Sequence, residues 1–381
     1  MNQILELVCA HKADITASWE SLHGLAEGPF EEHRTSEYVA RRLSAAGYHV
    51  QSGLAGTGVV ASLGQLSSPV IALRADMDAL SFQIDGVSAY RHTCGHDAHT
   101  AMVIAAGEIL AAAFPEACGR LKLVFQPAEE TGLGAAKMAD AGAIDDVDAM
   151  FGIHLRPLAE CPLGRATPCL WHSAGKTLRY SITGVPSHTG RPHLGVNAAS
   201  AVAAAAVSVN AIRPDPLRCA TVNVVSISAG LDTAGVIPAS GQITINIRAD
   251  SDEHAEELRG SVDRAVKGAV GSIGAEVERA GEKTMPAPMY DAGLIRTARE
   301  AIAAVLGDGA VIEKIITPGS EDFHVYPRRK PGLRTAYIGL GANLVPGLHH
   351  PDAAFHKDAL LYGTAILIEA FRRAIAQEGL E

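Results

Sequence analysis

VIALRADMD at 70–78 and CGHDAHTAMVIAAGEILAAA at 94–113 form the stretch whose reading decides the fold. Residues 70–73 are a short apolar run of the kind that makes a buried strand. Residues 98–113 are rich in Ala, Ile, Val and Leu, with Pro115 just beyond, which predicts a helix. Asp97 stands where a cap or first-turn acid is favourable. Working upstream, 2–27 carries a helical pattern and 31–46 predicts a second helix, stopped by Gly47. Short strands are expected near 49–51 and 59–63. Strand and helix alternate, and that order predicts an α/β fold with a mixed, largely parallel sheet flanked by helices.

The pattern changes near Ala174. LRYSIT (178–183) alternates like a half-exposed strand, an Ala-rich helix is expected over 196–212, and strands over 219–228 and 242–249. A charged helix over 253–271 and a strand near 276–279 complete a β-α-β-β-α-β unit. The α/β pattern resumes after Pro286, with helices over 292–306 and 357–376. Residues 174–284 therefore read as a small domain inserted into a larger one made of 1–173 and 285–381.

A chain of 381 residues can bury a large core. The formal net charge of −10 and the lack of dense Lys/Arg runs argue against a nucleic-acid partner. Cys9, Cys94, Cys118, Cys161, Cys169 and Cys219 are scattered, unlike a disulfide scaffold. The N-terminus does not resemble a signal peptide and no apolar run reaches the length of a membrane span, so a cytoplasmic protein without a membrane partner is expected.

The chemistry concentrates in a few strings. CGHDAH (94–99) packs a thiol, two imidazoles and a carboxylate into six residues, all groups that zinc-like divalent metals prefer. QPAEE (126–130), FGIHL (151–155) and GLHHP (347–351) follow or end apolar runs, and RADMD brings Asp76 and Asp78. Ligands in open α/β sheets gather beyond the carboxyl ends of strands. A pair of divalent ions needs about four or five ligands plus a water. The candidates are Cys94, His96, His99, one of Glu129 and Glu130, His154, and His349 or His350. Adjacent side chains on an extended segment point apart, so the two glutamates divide the labour. One ligates metal; the other takes a proton from water that metal binding brings to a pKa near ~7. Taken singly, the glutamate pair reads as a solvated turn and the histidines as ordinary loop residues.

CGHDAHTA, FQPAEE, GIHL, GVPSHTGRPH, IRAD, GSEDF and GLHHP occur in this order. Together they resemble the aminoacylase/carboxypeptidase-like dinuclear metallopeptidase family, over nearly the whole chain. The nearest branch is the amidohydrolases that include hydrolases of indole-acetyl and other N-acyl amino acids. The resemblance implies a zinc-exopeptidase-like catalytic domain with a ferredoxin-like lid that dimerises. It implies Cys94, His96, Glu130, His154 and His349 as ligands, with Cys94 bridging two ions, and Glu129 as base. His188 matches a histidine that reaches the partner subunit's site and stabilises the oxyanion.

Arg248 could bind a substrate carboxylate bidentately, or merely pair with Asp250 or Asp252. Asp78 and Asp97 could orient ligating histidines, and Ser320, Glu321 and Asp322 could line the pocket. Several positions depart from the family: Ser81-Phe82 after RADMDAL, Gly235 where relatives carry Asn, and the string after His350. The expected function is a metal-dependent amidohydrolase cleaving the amide bond of an N-acyl amino acid or related small amide. Manganese or zinc would serve, and cobalt and nickel also fit. The alternatives are the same site displacing the amine of a small amino-aromatic acid, and a hydrolase with Cys94 as nucleophile.

Overall fold

The computed structural model describes residues 2–84, 86–230 and 235–378. The chain divides into two compact units. The first comprises residues 1–171, 289–316 and 321–381, and the second 172–288 with 317–320.

A seven-stranded sheet organises the first unit, in the order His49–Leu54, Gly58–Ser62, Leu121–Gln126, Ile71–Asp76, Ala149–Pro157, Arg334–Leu344, Ala166–Thr167. The four strands from Leu121–Gln126 to Arg334–Leu344 run parallel, and both edges turn antiparallel. The central strands are buried along their length, which explains why they read as near-continuous apolar runs. Alternate side chains supply two cores. Leu73, Leu123, Phe151 and Ile338 belong to one, with residues of the helices His96–Ala113, Ala292–Leu306 and Asp358–Glu378. Ala72, Val124, Met150 and Tyr337 belong to the other, with Met138 and Tyr326. The helical pattern at the N-terminus is two helices, Gln3–Ala10 and Lys12–His23, broken at His11. A polar hairpin, Leu80–Ile84 with Val87–Arg91, was not legible in the sequence.

The second unit is a four-stranded antiparallel sheet in the order Ala220–Ala229, Ser240–Ala249, Ala174–Thr183, Glu276–Met285. The helices Ala198–Asn210 and Asp252–Ser272 pack on it through Ala201, Val202, Val209, Leu258, Val262 and Val266. No helix among the described residues is long and apolar enough to cross a membrane.

Candidate metal centre

Parallel strands put their carboxyl ends at one edge of the first unit's sheet, and the metal-type residues gather there. Cys94 lies in the loop before the helix His96–Ala113, and His96 is that helix's first residue. Gly95 between them has φ +91°, a left-handed turn that glycine takes without steric cost. His154 stands within the strand Ala149–Pro157. His349, at φ +62°, is tethered by its N–H to Thr93 O at 3.0 Å, beside Cys94.

The ligand-type atoms converge. Cys94 Sγ lies 3.5 Å from His154 Nε2 and 3.3 Å from His349 Nε2. Glu130 Oε1 is 3.4 Å from His349 Nε2 and 3.9 Å from His96 Nε2. Donors at ~2.0–2.3 Å from one tetrahedral ion sit ~3.3–3.8 Å from each other, so these spacings fit shared coordination. They form two triads, Cys94–His96–His154 and Cys94–Glu130–His349, that share the sulfur. His96 Nε2 and Glu130 Oε1 are buried without a hydrogen-bond partner. Leaving buried polar atoms unmatched costs about 1–3 kcal/mol each, and a cation between a carboxylate oxygen and the nitrogen of a neutral imidazole would match both. The residues present therefore fit a metal centre.

The surroundings fix the histidine tautomers. His96 Nδ1 donates to Asp78 O at 2.9 Å and reaches Asp78 Oδ1 at 3.1 Å. His154 Nδ1 donates to Leu155 O at 2.6 Å. Each ring thus carries a proton on the nitrogen that faces away from the cluster and turns Nε2 toward it, the atom through which a neutral ring would ligate. Asp78 does more: its two oxygens accept the N–H groups of Glu129 and Glu130 at 3.1 and 3.0 Å.

Two candidates drop out on geometry. His99 accepts Leu155 N–H at Nε2 (3.0 Å) and pairs with Asp76 through Nδ1 (2.7 Å), so neither nitrogen is available. His350 takes Asp352 N–H instead of joining the cluster. The expectation that Asp97 orients a ligating histidine is corrected. Its carboxylate bonds His23 Nδ1 at 2.7 Å and Ala98 N–H, because it leaves the first helical turn on the side facing His23.

Glu129 sits at the edge of the triads, with Oε2 4.0 Å from His96 Nε2 and Oε1 accepting Asp322 N–H at 3.3 Å. Burial, and then the Glu321 and Asp322 carboxylates, push it well above the usual carboxylate range. Burial pushes Glu130 up to about 7. Burial and Glu130 hold the Cys94 thiol well above its ordinary value. A site that crowds protons onto its acids in this way is one that a cation would relieve.

Beneath it lies a network the sequence did not assign. Arg74, fully buried, reaches Asp76 at 2.7 Å, Glu321 at 3.1 Å, Asp322 at 3.2 Å and Gln126 Oε1 at 2.8 Å. The only sequence signal was a charged residue inside an apolar run.

In the second unit, His188 is exposed and its Nδ1 accepts Gly190 N–H at 2.9 Å. Arg248 is half-buried and hydrogen-bonds Ser320 Oγ, which in turn donates to Ser173 O at 2.9 Å. Among the described residues it pairs with no carboxylate, since Asp250 is taken by Arg218 and His254.

A sheet edge with two sulfur-sharing triads and an adjacent buried carboxylate defines a metallohydrolase site. The comparisons agree. The model of peptidase family M20/M25/M40 matches residues 72–373. An IAA-amino acid hydrolase, ILR1-like 2, of Arabidopsis thaliana is 32% identical over 369 residues, 91% of this chain and 81% of the relative. N-acetylcysteine deacetylase of Bacillus subtilis is 30% identical over 362 residues, 91% and 93% of the two chains. The solved Bacillus subtilis YXEP protein, a dinuclear metal binding peptidase from the M20 family, superposes with TM-score 0.77 at 26% identity, covering 97% of this chain and 99% of that one. The chain belongs to peptidase family M20/M25/M40 and is a hydrolase of carbon–nitrogen bonds.

Proposed function

We propose that the protein is a two-metal amidohydrolase that releases the amino acid from an N-acyl amino acid or a related small amide. The observation that carries this reading is the pair of triads sharing Cys94 Sγ, with Glu129 beside them. Cys94, His96, Glu130, His154 and His349 would hold the two ions. Divalent ions bound there would supply Lewis acidity and lower the pKa of water. Manganese or zinc fits the donor set, with cobalt and nickel as further candidates, since a thiolate favours softer metals while availability decides selection.

Glu129 takes the proton of the attacking water and passes it to the leaving amine. Its raised proton affinity suits both directions of transfer. Arg248, free of carboxylate partners, receives the carboxylate of the amino-acid half. His188, its Nδ1 occupied by its own loop, keeps a proton on Nε2 and lends it to the oxyanion in a partner subunit's site. A homodimer through the second unit is supported by exposed Val207, Val225 and Ile227 on one helix and the edge strand. A cytoplasmic location is part of the proposal, and the six scattered cysteines would stay reduced there. Both relatives are named for cutting an acyl group from an amino acid. A Cys94 nucleophile is disfavoured, because burial and Glu130 keep that thiol protonated.

The test is metal content per chain together with hydrolysis of an N-acyl amino acid panel, before and after chelation. Near two ions per chain, with activity lost on chelation and restored by Mn²⁺ or Zn²⁺, is the expected result. Metal-free protein with chelator-resistant activity overturns the reading.

A further inference from the structure

We infer that Glu32 is a positioning residue for the tip that carries Glu129 and Glu130, acting through the left-handed backbone of Ala128. The inference rests on the roles proposed above for those two glutamates. The strand Leu121–Gln126 ends one residue before Pro127, and Ala128 then adopts φ +55° with its side chain fully buried. For an L-residue with a Cβ that conformation is strained and persists only where the surroundings over-determine it. It also sets the direction in which the next two side chains leave the strand.

What holds it can be read atom by atom. Ala128 N–H donates to Glu32 Oε1 at 2.9 Å. Ala128 C=O accepts Thr131 Oγ1 at 2.9 Å and Gly134 N–H at 3.3 Å. The following two N–H groups go to Asp78. Three successive amides of the tip therefore end on two buried carboxylates. Asp78 also holds His96, whereas Glu32 takes no hydrogen bond from a candidate ligand's side chain; its connection to the centre is the backbone of Ala128.

Glu32 itself is rigidly placed. It is wholly buried just ahead of the helix His33–Ala45. Its Oε2 accepts Thr57 Oγ1 at 2.5 Å, and its Oε1 also accepts the N–H of Phe30, another left-handed residue at φ +62°. One carboxylate thus pins two strained backbones, one of them at the reacting tip. Gly134 packs against the same turn so closely that a Cβ there would lie 1.7 Å from Pro127 O, so only glycine fits at that position.

Glu32→Leu keeps the volume and removes both acceptors, leaving the N–H groups of Phe30 and Ala128 and the Thr57 hydroxyl without this partner. Affinity for Mn²⁺ and Zn²⁺, read by competition with a chelating dye, is expected to fall by about tenfold to a hundredfold, as for other residues that orient ligands. kcat is expected to fall more than KM rises. Glycine takes the left-handed backbone freely, so Glu32→Leu/Ala128→Gly should recover metal affinity several-fold over the single variant. A residue that merely stabilised the fold would lower the Tm, and Ala128→Gly would not restore metal affinity.

Wild-type metal affinity in folded Glu32→Leu overturns the inference, as does a double variant no better than the single. Should Glu32→Leu not fold, Glu32→Asp carries the test: one methylene shorter, it cannot reach Ala128 N–H and Thr57 together, and unchanged metal affinity there overturns the inference equally. The amidase reading fails separately, through metal-loaded wild-type protein that leaves N-acyl amino acids intact, or full turnover in Glu129→Gln; metal affinity still reads Glu32 in either case. Wild-type protein with no affinity for either ion overturns both.

Discussion

In the first unit Glu32, Arg74, Asp76, Asp78, His96, His99, Glu129 and Asp322 are all buried, while the core of the second is built from Leu178, Ile182, Ile243, Ile245, Val262 and Val266. The second unit instead leaves Val207 71% and Ile227 56% exposed. Burying an ion costs several kcal/mol even after relaxation unless partners satisfy it. Exposing large apolar side chains together is equally unusual for a free surface. The first unit gathers buried charge at one sheet edge, where a reaction is proposed, and the second sets Val207, Val225 and Ile227 outward, where association is proposed. The comparison is useful because each half can be broken separately.

The largest effect is expected where buried charge has no protein partner. His96→Ala removes the unpartnered Nε2 shared by the triad Cys94–His96–His154 and by the contacts to both glutamates. Metal content should drop by at least one ion per chain and hydrolysis should disappear, as elemental analysis and an N-acyl amino acid assay would reveal; a fully loaded, active variant would break the first half of the comparison. Glu129→Gln comes next. It keeps the shape and should keep the metal, yet lose about 10²- to 10⁴-fold in kcat, the usual worth of a positioned base. Near-wild-type turnover would remove Glu129 from the mechanism.

The contrast also explains what could be read without coordinates. Cys94, His96, His154 and the pairs Glu129/Glu130 and His349/His350 were legible as metal-type residues because each sits in a short string next to a strand or helix signal, while the choice within each pair came from the family resemblance. Asp78 was legible from its string as well. Glu32 and Arg74 were not. Glu32 meets Ala128 across 96 residues, and Arg74 meets Glu321 across 247. Local pattern marks both as charged residues and says nothing of partners that far away. Asp97 misled for the converse reason: it is next to His96 in sequence, but the helix turns it onto His23. The antiparallel edges were hidden because a two-residue period reports which face is buried and not which way a neighbour runs. The hairpin Leu80–Ile84 with Val87–Arg91 was hidden because its exposed strands carry Ser, Gln and Tyr and no buried stripe.

A smaller effect sharpens the electrostatic half. Asp78→Asn leaves every proposed ligand in place but weakens the acceptor for His96 and for the two tip amides. Metal affinity should fall by about tenfold to a hundredfold with little change in fold. Affinity should also depend on pH in a stated direction. Glu130 in the metal-free site is pushed up to about 7, so below that pH a proton competes with the ion and above it the carboxylate is ready. The raised value means that affinity climbs as pH rises from 6 toward 7 and that this contribution flattens beyond. Dye competition across that range checks it, and an affinity that falls as pH rises would contradict the sign.

The last prediction addresses the second unit, where substitutions inside and out should have opposite consequences for stability and association. Ile245→Ala empties a fully buried position on the strand Ser240–Ala249 and should cost about 2–5 kcal/mol of stability. Ile227→Lys changes an exposed residue on the edge strand Ala220–Ala229, where folding gains little from the isoleucine. Stability of the isolated chain should move by no more than about 0.5 kcal/mol. A lysine on a sheet edge nevertheless opposes pairing with a second copy. Sedimentation should then show a shift from dimer to monomer at unchanged Tm for the monomeric form. If His188 serves a partner's site, kcat should fall with the dimer fraction while metal content stays constant. A variant that remains dimeric, or a monomer with full activity, would mean that the exposed apolar edge is not where the copies meet, or that each chain completes its own site.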